Sequence, residues 1–180
     1  MLRSCLSLLA LAAVAIAGPI QPSPPALTYL FSLNITSGAT INIGTTPLGD
    51  RVFEPIIGGS FDGPELSGES PRDELAPSCP CTAVIYGGLT LIHAGTVAAG
   101  GGDAGLVDAN GSFNPDVVYV LQTNDGCNIL VREKGHAPNL LLLFETGSDE
   151  YDWLNSVVAY GQGVQSQGGV SLNVWQVSVP

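Results

Sequence analysis

Glycine and proline punctuate this chain so densely that a helical fold has little room in it. Of 180 residues, 23 are Gly and 13 are Pro. Helix interiors disfavour both, because Gly leaves the backbone too free and Pro lacks a donor. No long stretch carries helical periodicity, and only 149–155 (DEYDWLN) suggests a single helical turn. The apolar fraction still reaches 45%, enough for a core, and the length suits one domain. A turn-rich all-β protein remains.

Strand patterns support it. Tyr29, Phe31, Leu33 and Ile35 alternate with Leu30, Ser32, Asn34 and Thr36, so the first set is expected inside and Asn34 outside. Further strands are expected at 52–57, 59–68, 84–93, 117–123, 127–133, 139–145, 155–160 and 170–179. The clearest hairpin runs from Val117 to Thr123, turns at Asn124-Asp125-Gly126, and returns from Cys127 to Arg132. Those turn residues tolerate the positive φ of a tight reversal. Roughly eight to nine short strands predict a single antiparallel barrel or a sandwich, and closure into a barrel removes exposed edges. Residues 70–111, with Cys79-Pro80-Cys81 and the GGGDAG stretch at 100–105, break the rhythm and read as long loops around one strand.

Met1 to Gly18 has the pattern of a secretory signal: Arg3, an apolar run from Leu6 to Ile16, and Ala15-Ile16-Ala17 before a cut after Ala17. The run is too short to span a bilayer as an anchor. This gives a signal peptide at 1–17, a Pro-rich leader at 18–26 and the barrel at 27–180, in a secreted, extracellular protein without a membrane span after signal removal. In an oxidising compartment Cys127 is expected to bridge to Cys79 or Cys81, leaving the third thiol unpaired or joining two chains as a homodimer. Asn34-Ile35-Thr36 and Asn110-Gly111-Ser112 are glycosylation sequons. Five Lys+Arg against sixteen Asp+Glu leave almost nothing to hold a phosphate backbone, so nucleic acid is excluded as a partner.

Gly58-Gly59-Ser60-Phe61-Asp62-Gly63-Pro64-Glu65-Leu66-Ser67-Gly68 resembles the G-G-x-F-x-G-P-x-L-x-G signature of the domain-of-unknown-function 3237 family. Gly49-Asp50-Arg51 to Pro55-Ile56, Thr123-Asn124-Asp125-Gly126, and Glu145-Thr146-Gly147-Ser148-Asp149 with Tyr151, Trp153, Leu154 and Asn155 are similar to further motifs of that family. The resemblance covers about residues 27 to 178. It implies a calycin-like antiparallel β-barrel and little about activity. Between Glu69 and Asp116 a Cys-containing insertion replaces the family's short L-P-G-G-x-D-W passage.

Several motif strings fail on context. Gly100 to Gly105 matches G-x-G-x-x-G, but Asp108, Asn110 and Gly111 follow it where a dinucleotide site needs a helix. Asp108 to Ser112 suggests a calcium loop, yet Phe113 stands where Gly is needed and Tyr119 where the bidentate Glu is needed. No G-x-S-x-G elbow, zinc spacing or cofactor motif occurs, so neither metal nor cofactor is expected.

The candidate catalytic residues are His93, Tyr119, Arg132 and Glu145. His93 shares a strand face with Leu89 and Leu91, Tyr119 and Arg132 lie on the paired hairpin strands, and Glu145 ends the apolar run from Leu140. A carboxylate at an apolar barrel mouth has a raised pKa suited to proton transfer. The structural alternative pairs Glu145 with Arg132 at the rim and leaves Asp125 to its turn. His136 reads as a solvent-facing turn residue. Tyr29, Phe31, Phe61, Tyr151 and Trp153 are the candidate ligand-binding aromatics, the last two at one barrel end. Two readings follow. One is a barrel that binds a small, mostly apolar or aromatic molecule and catalyses its cofactor-free cyclisation or isomerisation. The other is non-catalytic, either a carrier of such a molecule or a surface protein with a filled core and a protein partner.

Overall fold

The protein was analysed as a computed structural model, which describes residues 22–63, 93–166 and 168–179. The signal segment, Cys79, Cys81 and the strand expected before His93 lie outside the described residues. The strands are β1 (Ala26–Ser37), β2 (Ile41–Thr46), β3 (Gly49–Gly63), β4 (His93–Val97), β5 (Gly102–Asp103), β6 (Leu106–Val107), β7 (Phe113–Asn114), β8 (Asp116–Thr123), β9 (Asn128–His136), β10 (Asn139–Glu145), β11 (Val158–Ser166) and β12 (Gly169–Ser178). Among the described residues the helical element is one 3-10 turn, Asp152–Ser156, close to where one was expected.

Eight strands close a calycin-like antiparallel barrel in the order β1-β12-β11-β10-β9-β8-β4-β3, with β3 returning to β1. Period-two alternation sets its interior. Val117, Tyr119 and Leu121 on β8 face inward with Ile129, Val131 and Glu133 on β9 and Leu140, Leu142 and Phe144 on β10. The expected hairpin is present: Val117 pairs with Glu133 and Tyr119 with Val131, and Gly126 takes φ 91° in the turn.

Three departures from the sequence reading have local causes. Tyr29 does not join the inward set, because the β1–β12 register shifts between Tyr29 and Phe31. The bulge buries Leu30 beside Phe31 and turns Tyr29 out against Trp175. Gly58-Gly59 does not separate two strands. Both adopt positive φ within one long β3, and a Cβ on Gly59 would lie 2.1 Å from the Asn34 carbonyl oxygen, so only Gly lets β3 pass this close to β1. The 100–105 stretch is not all loop: Gly102-Asp103 forms β5, a short bridge between β3 and β8.

The interior is filled at one end and hollow at the other. Phe31 meets Phe61 and Phe144 edge-to-face at 6.0 and 6.1 Å, and buried Tyr151 and Leu154 of the 3-10 region plug that end. The Tyr151 hydroxyl donates to Asp125 Oδ2 at 3.1 Å, tying the plug to the β8–β9 turn.

Candidate functional site

At the opposite end, a cavity of about 340 Å³ opens among the strands, a size that suits a small organic molecule. Ile35, Ile56, Phe113, Val117, Leu140 and Leu172 supply apolar walls. Three carboxylates interrupt them: Glu54 from β3, Asp103 from β5 and Glu133 from β9. Among the described lining residues there is no Lys, Arg or His.

Glu133 is the most constrained of the three. It is only 3% exposed and accepts a hydrogen bond from the Tyr119 hydroxyl at 3.2 Å. The register explains the pair: Glu133 sits opposite Val117, one inward step along β8 from Tyr119. Burial pushes the Glu133 carboxyl up to about 7; the bond from Tyr119 opposes the shift and nearby Asp103 adds to it. The Tyr119 phenol is driven far above its usual range by burial and by Glu133, so it remains a hydrogen-bond donor. Tyr119 does not line the cavity; it holds Glu133 in place.

Asp103 is fixed differently. Its Oδ1 accepts the Asp116 backbone N–H at 2.9 Å. Burial raises its carboxyl to about 6, against the lowering effect of that bond and of Arg51. The Arg51 guanidinium also donates to the Ala104 carbonyl, and Glu54 accepts from Thr40 Oγ1 at 3.3 Å.

The other sequence-selected residues fall elsewhere. Arg132 and Glu145 do not converge on the interior. Both project from the outer wall, where Arg132 Nε meets Glu145 Oε1 at 3.3 Å with the side chains 55% and 67% exposed. Alternation explains the correction: Arg132 neighbours the inward Val131 and Glu133, and Glu145 follows the inward Phe144. His93 opens β4 opposite Gly63, and its side chain lies outside the description. His136 is exposed and its Nδ1 bonds Asn114 Oδ1. Phe31, Phe61, Tyr151 and Trp153 belong to the filled end and Tyr29 to the outer wall, so none of these five aromatics lines the cavity; Phe113 does.

Asp108 forms a surface turn, its Oδ1 accepting the N–H groups of Asn110 and Ser112. No group of three His, Cys, Asp or Glu among the described residues is placed to hold a metal ion. Cys127 is buried and its Sγ receives a contact from Ser148 Oγ at 3.3 Å. Asn34 and Asn110 are both exposed.

Glu54, Asp103 and Glu133 were missed by the sequence reading. For Glu133 a signal existed: Ile129, Val131 and Glu133 alternate strictly, which puts an acid on an otherwise apolar inward face.

Residues 25–76 match the family described as protein of unknown function (DUF3237). Over 157 residues the chain is 30% identical to the hydroalkoxylation enzyme phnH of Penicillium herquei, covering 87% of each chain. The chain belongs to the DUF3237 family. A solved structure of a Penicillium herquei enzyme superposes with TM-score 0.67 at 30% identity, covering 88% of this chain and 98% of that one. A β-barrel-like protein of Acinetobacter baumannii gives TM-score 0.68 at 23% identity, covering 88% and 99%. A Rhodopseudomonas palustris protein of unknown function gives 0.68 at 20%, covering 87% and 99%. The last two support the fold of this family member alone.

Proposed function

We propose that the protein is a cofactor-independent cyclase that closes an oxygen ring by adding a substrate's hydroxyl group across its own carbon–carbon double bond. The observation that carries this reading is Glu133, a buried carboxyl held by Tyr119 in the wall of an apolar cavity. The similarity to a protein named as a hydroalkoxylation enzyme adds to it. An acid whose burial holds its proton above the usual carboxylate range can deliver that proton to an alkene carbon, and a cavity that folds the substrate on itself makes the ring closure unimolecular. Reactant and product are isomers, so the sum of the reaction needs no oxidant or co-substrate.

Three carboxylates in the wall, with no cationic residue among the described lining, favour an uncharged and mostly apolar or aromatic substrate over an anion. Export through a secretory pathway belongs to the same proposal, supported by the Met1–Gly18 pattern and by the exposed sequons Asn34 and Asn110.

The test is turnover of ortho-prenylphenol by wild type and by Glu133→Gln. The expected result is conversion to the chroman by wild type and a loss of roughly 10²- to 10⁴-fold in the variant. Equal rates in both would overturn the role of Glu133. Binding without any conversion would favour the carrier reading instead.

A further inference from the structure

We infer that Asp103 is the second catalytic carboxylate: it takes the proton from the substrate's hydroxyl while Glu133 gives one to the alkene. This rests on the cyclase reading above. The short strand β5 exists to bridge β3 and β8, and that bridge carries Asp103 into the same cavity wall as Glu133. One of its oxygens is fixed by the Asp116 N–H, and no cationic side chain among the described residues is bonded to it.

The two acids are held in unlike surroundings. Asp103 has a backbone donor and the nearby Arg51 to favour its charge, opposed by burial and by Glu54 and Asp116. The Asp116 carboxylate is itself paired with Lys134 at 3.0 Å. Glu133 has greater burial and the repulsion of Asp103 against its charge. The backbone donor and Arg51 favour charge on Asp103, whereas deeper burial and the Asp103 charge favour a proton on Glu133. With Asp103 ionised and Glu133 protonated, the cavity holds one carboxylate and one carboxylic acid, the pairing that acid–base catalysis requires.

The step balances. The alkene's π pair takes the Glu133 proton and forms a C–H bond, leaving the more substituted carbon electron-poor. A lone pair on the hydroxyl oxygen forms the new C–O bond there, and its O–H bond breaks as the proton passes to Asp103. The cycle ends with neutral Asp103 and ionised Glu133, and return of one proton from the former to the latter restores the enzyme.

Two measurements separate this inference from the cyclase reading. The first is the affinity of the mature protein for ortho-isopentylphenol, a saturated probe that cannot react, between about pH 5 and pH 6.5, across the Asp103 value. A hydroxyl donating to ionised Asp103 makes a charge-assisted bond, so affinity should fall about tenfold on acidification. The fall should persist in Glu133→Gln and vanish in Asp103→Asn, whose amide oxygen can still accept the Asp116 N–H. The second is turnover of ortho-prenylphenol, expected to drop about 10²-fold or more in Asp103→Asn.

A pH-independent affinity in wild type, or undiminished turnover in Asp103→Asn, would overturn the role of Asp103 while leaving the cyclase reading intact. A pH-dependent affinity without turnover in wild type would overturn the proton transfer and the cyclase reading together.

Discussion

Replacing Glu133 by Gln should stabilise the protein, and the gain should depend on pH. Glu133 is lifted from 4.5 to about 7 in the folded chain, chiefly by burial. Below about pH 4 the carboxyl is protonated whether the chain is folded or not, so it costs nothing. As pH rises past 4.5 the unfolded chain releases the proton while the folded one retains it, and the folded state loses ground. The loss levels off once pH exceeds about 7, where the folded form ionises too.

At 1.36 kcal/mol per pH unit, the separation corresponds to about 3 kcal/mol at the plateau. This is an upper figure, because a folded protein relaxes around a buried charge. The amide can still accept from Tyr119 and carries no charge, so the variant should escape the penalty. For a domain of this size each kcal/mol moves Tm by roughly 2–4 °C. The assay is thermal unfolding of wild type and Glu133→Gln across pH. The Tm difference should be small near pH 4 and grow to roughly 5–10 °C near pH 8. A difference that is constant with pH, or a variant that becomes the less stable as pH rises, would mean that burial does not hold the proton on Glu133.

Other expectations follow from the same geometry. Tyr119→Phe removes the bond that partly offsets burial at Glu133, so the Glu133 carboxyl should titrate at higher pH, read by carbon NMR of the labelled side chain. Arg132→Ala should leave turnover unchanged and stability within about 1 kcal/mol by urea unfolding, because its pair with Glu145 is exposed on the outer wall. Phe144→Ala should cost roughly 3–5 kcal/mol in the same assay, since it removes a ring buried against Phe31 at the filled end. Gly59→Ala should also destabilise strongly, its new methyl carbon falling 2.1 Å from the Asn34 carbonyl oxygen; a variant as stable as wild type would contradict the close approach of β1 and β3.

Much of the barrel was legible because strands declare themselves by alternation and by turn residues. The 117–133 hairpin, β10 and β12 all rest on signals within a few residues. What failed was non-local. The bulge that expels Tyr29 is created by pairing with β12, a partner more than a hundred residues away in sequence. β5 is two residues long and is stabilised by neighbours on both sides, so Asp103 in a glycine-rich run carried no mark of its position. Arg132 and Glu145 attracted notice as charges beside apolar runs, yet their own parity places them outside. Glu133 has the inward parity of Ile129 and Val131 and was passed over. A period-two count applied to the charged residues themselves would have exchanged one set for the other. The filled end shows a related limit: alternation turns Phe31 inward and the sequence places Tyr151 and Trp153 at one barrel end, but only the assembled barrel shows that these rings fill the end opposite the cavity.

In the proposed mechanism a buried acid inside this barrel protonates an alkene during ring closure. Turnover of ortho-prenylphenol in heavy water follows that proton into the product. The expected product is a chroman carrying one deuterium on the carbon next to the new C–O carbon, in a single configuration, because the proton comes from one fixed side chain. Phenol recovered unchanged, or a product whose deuterium is distributed equally over both faces, would contradict it.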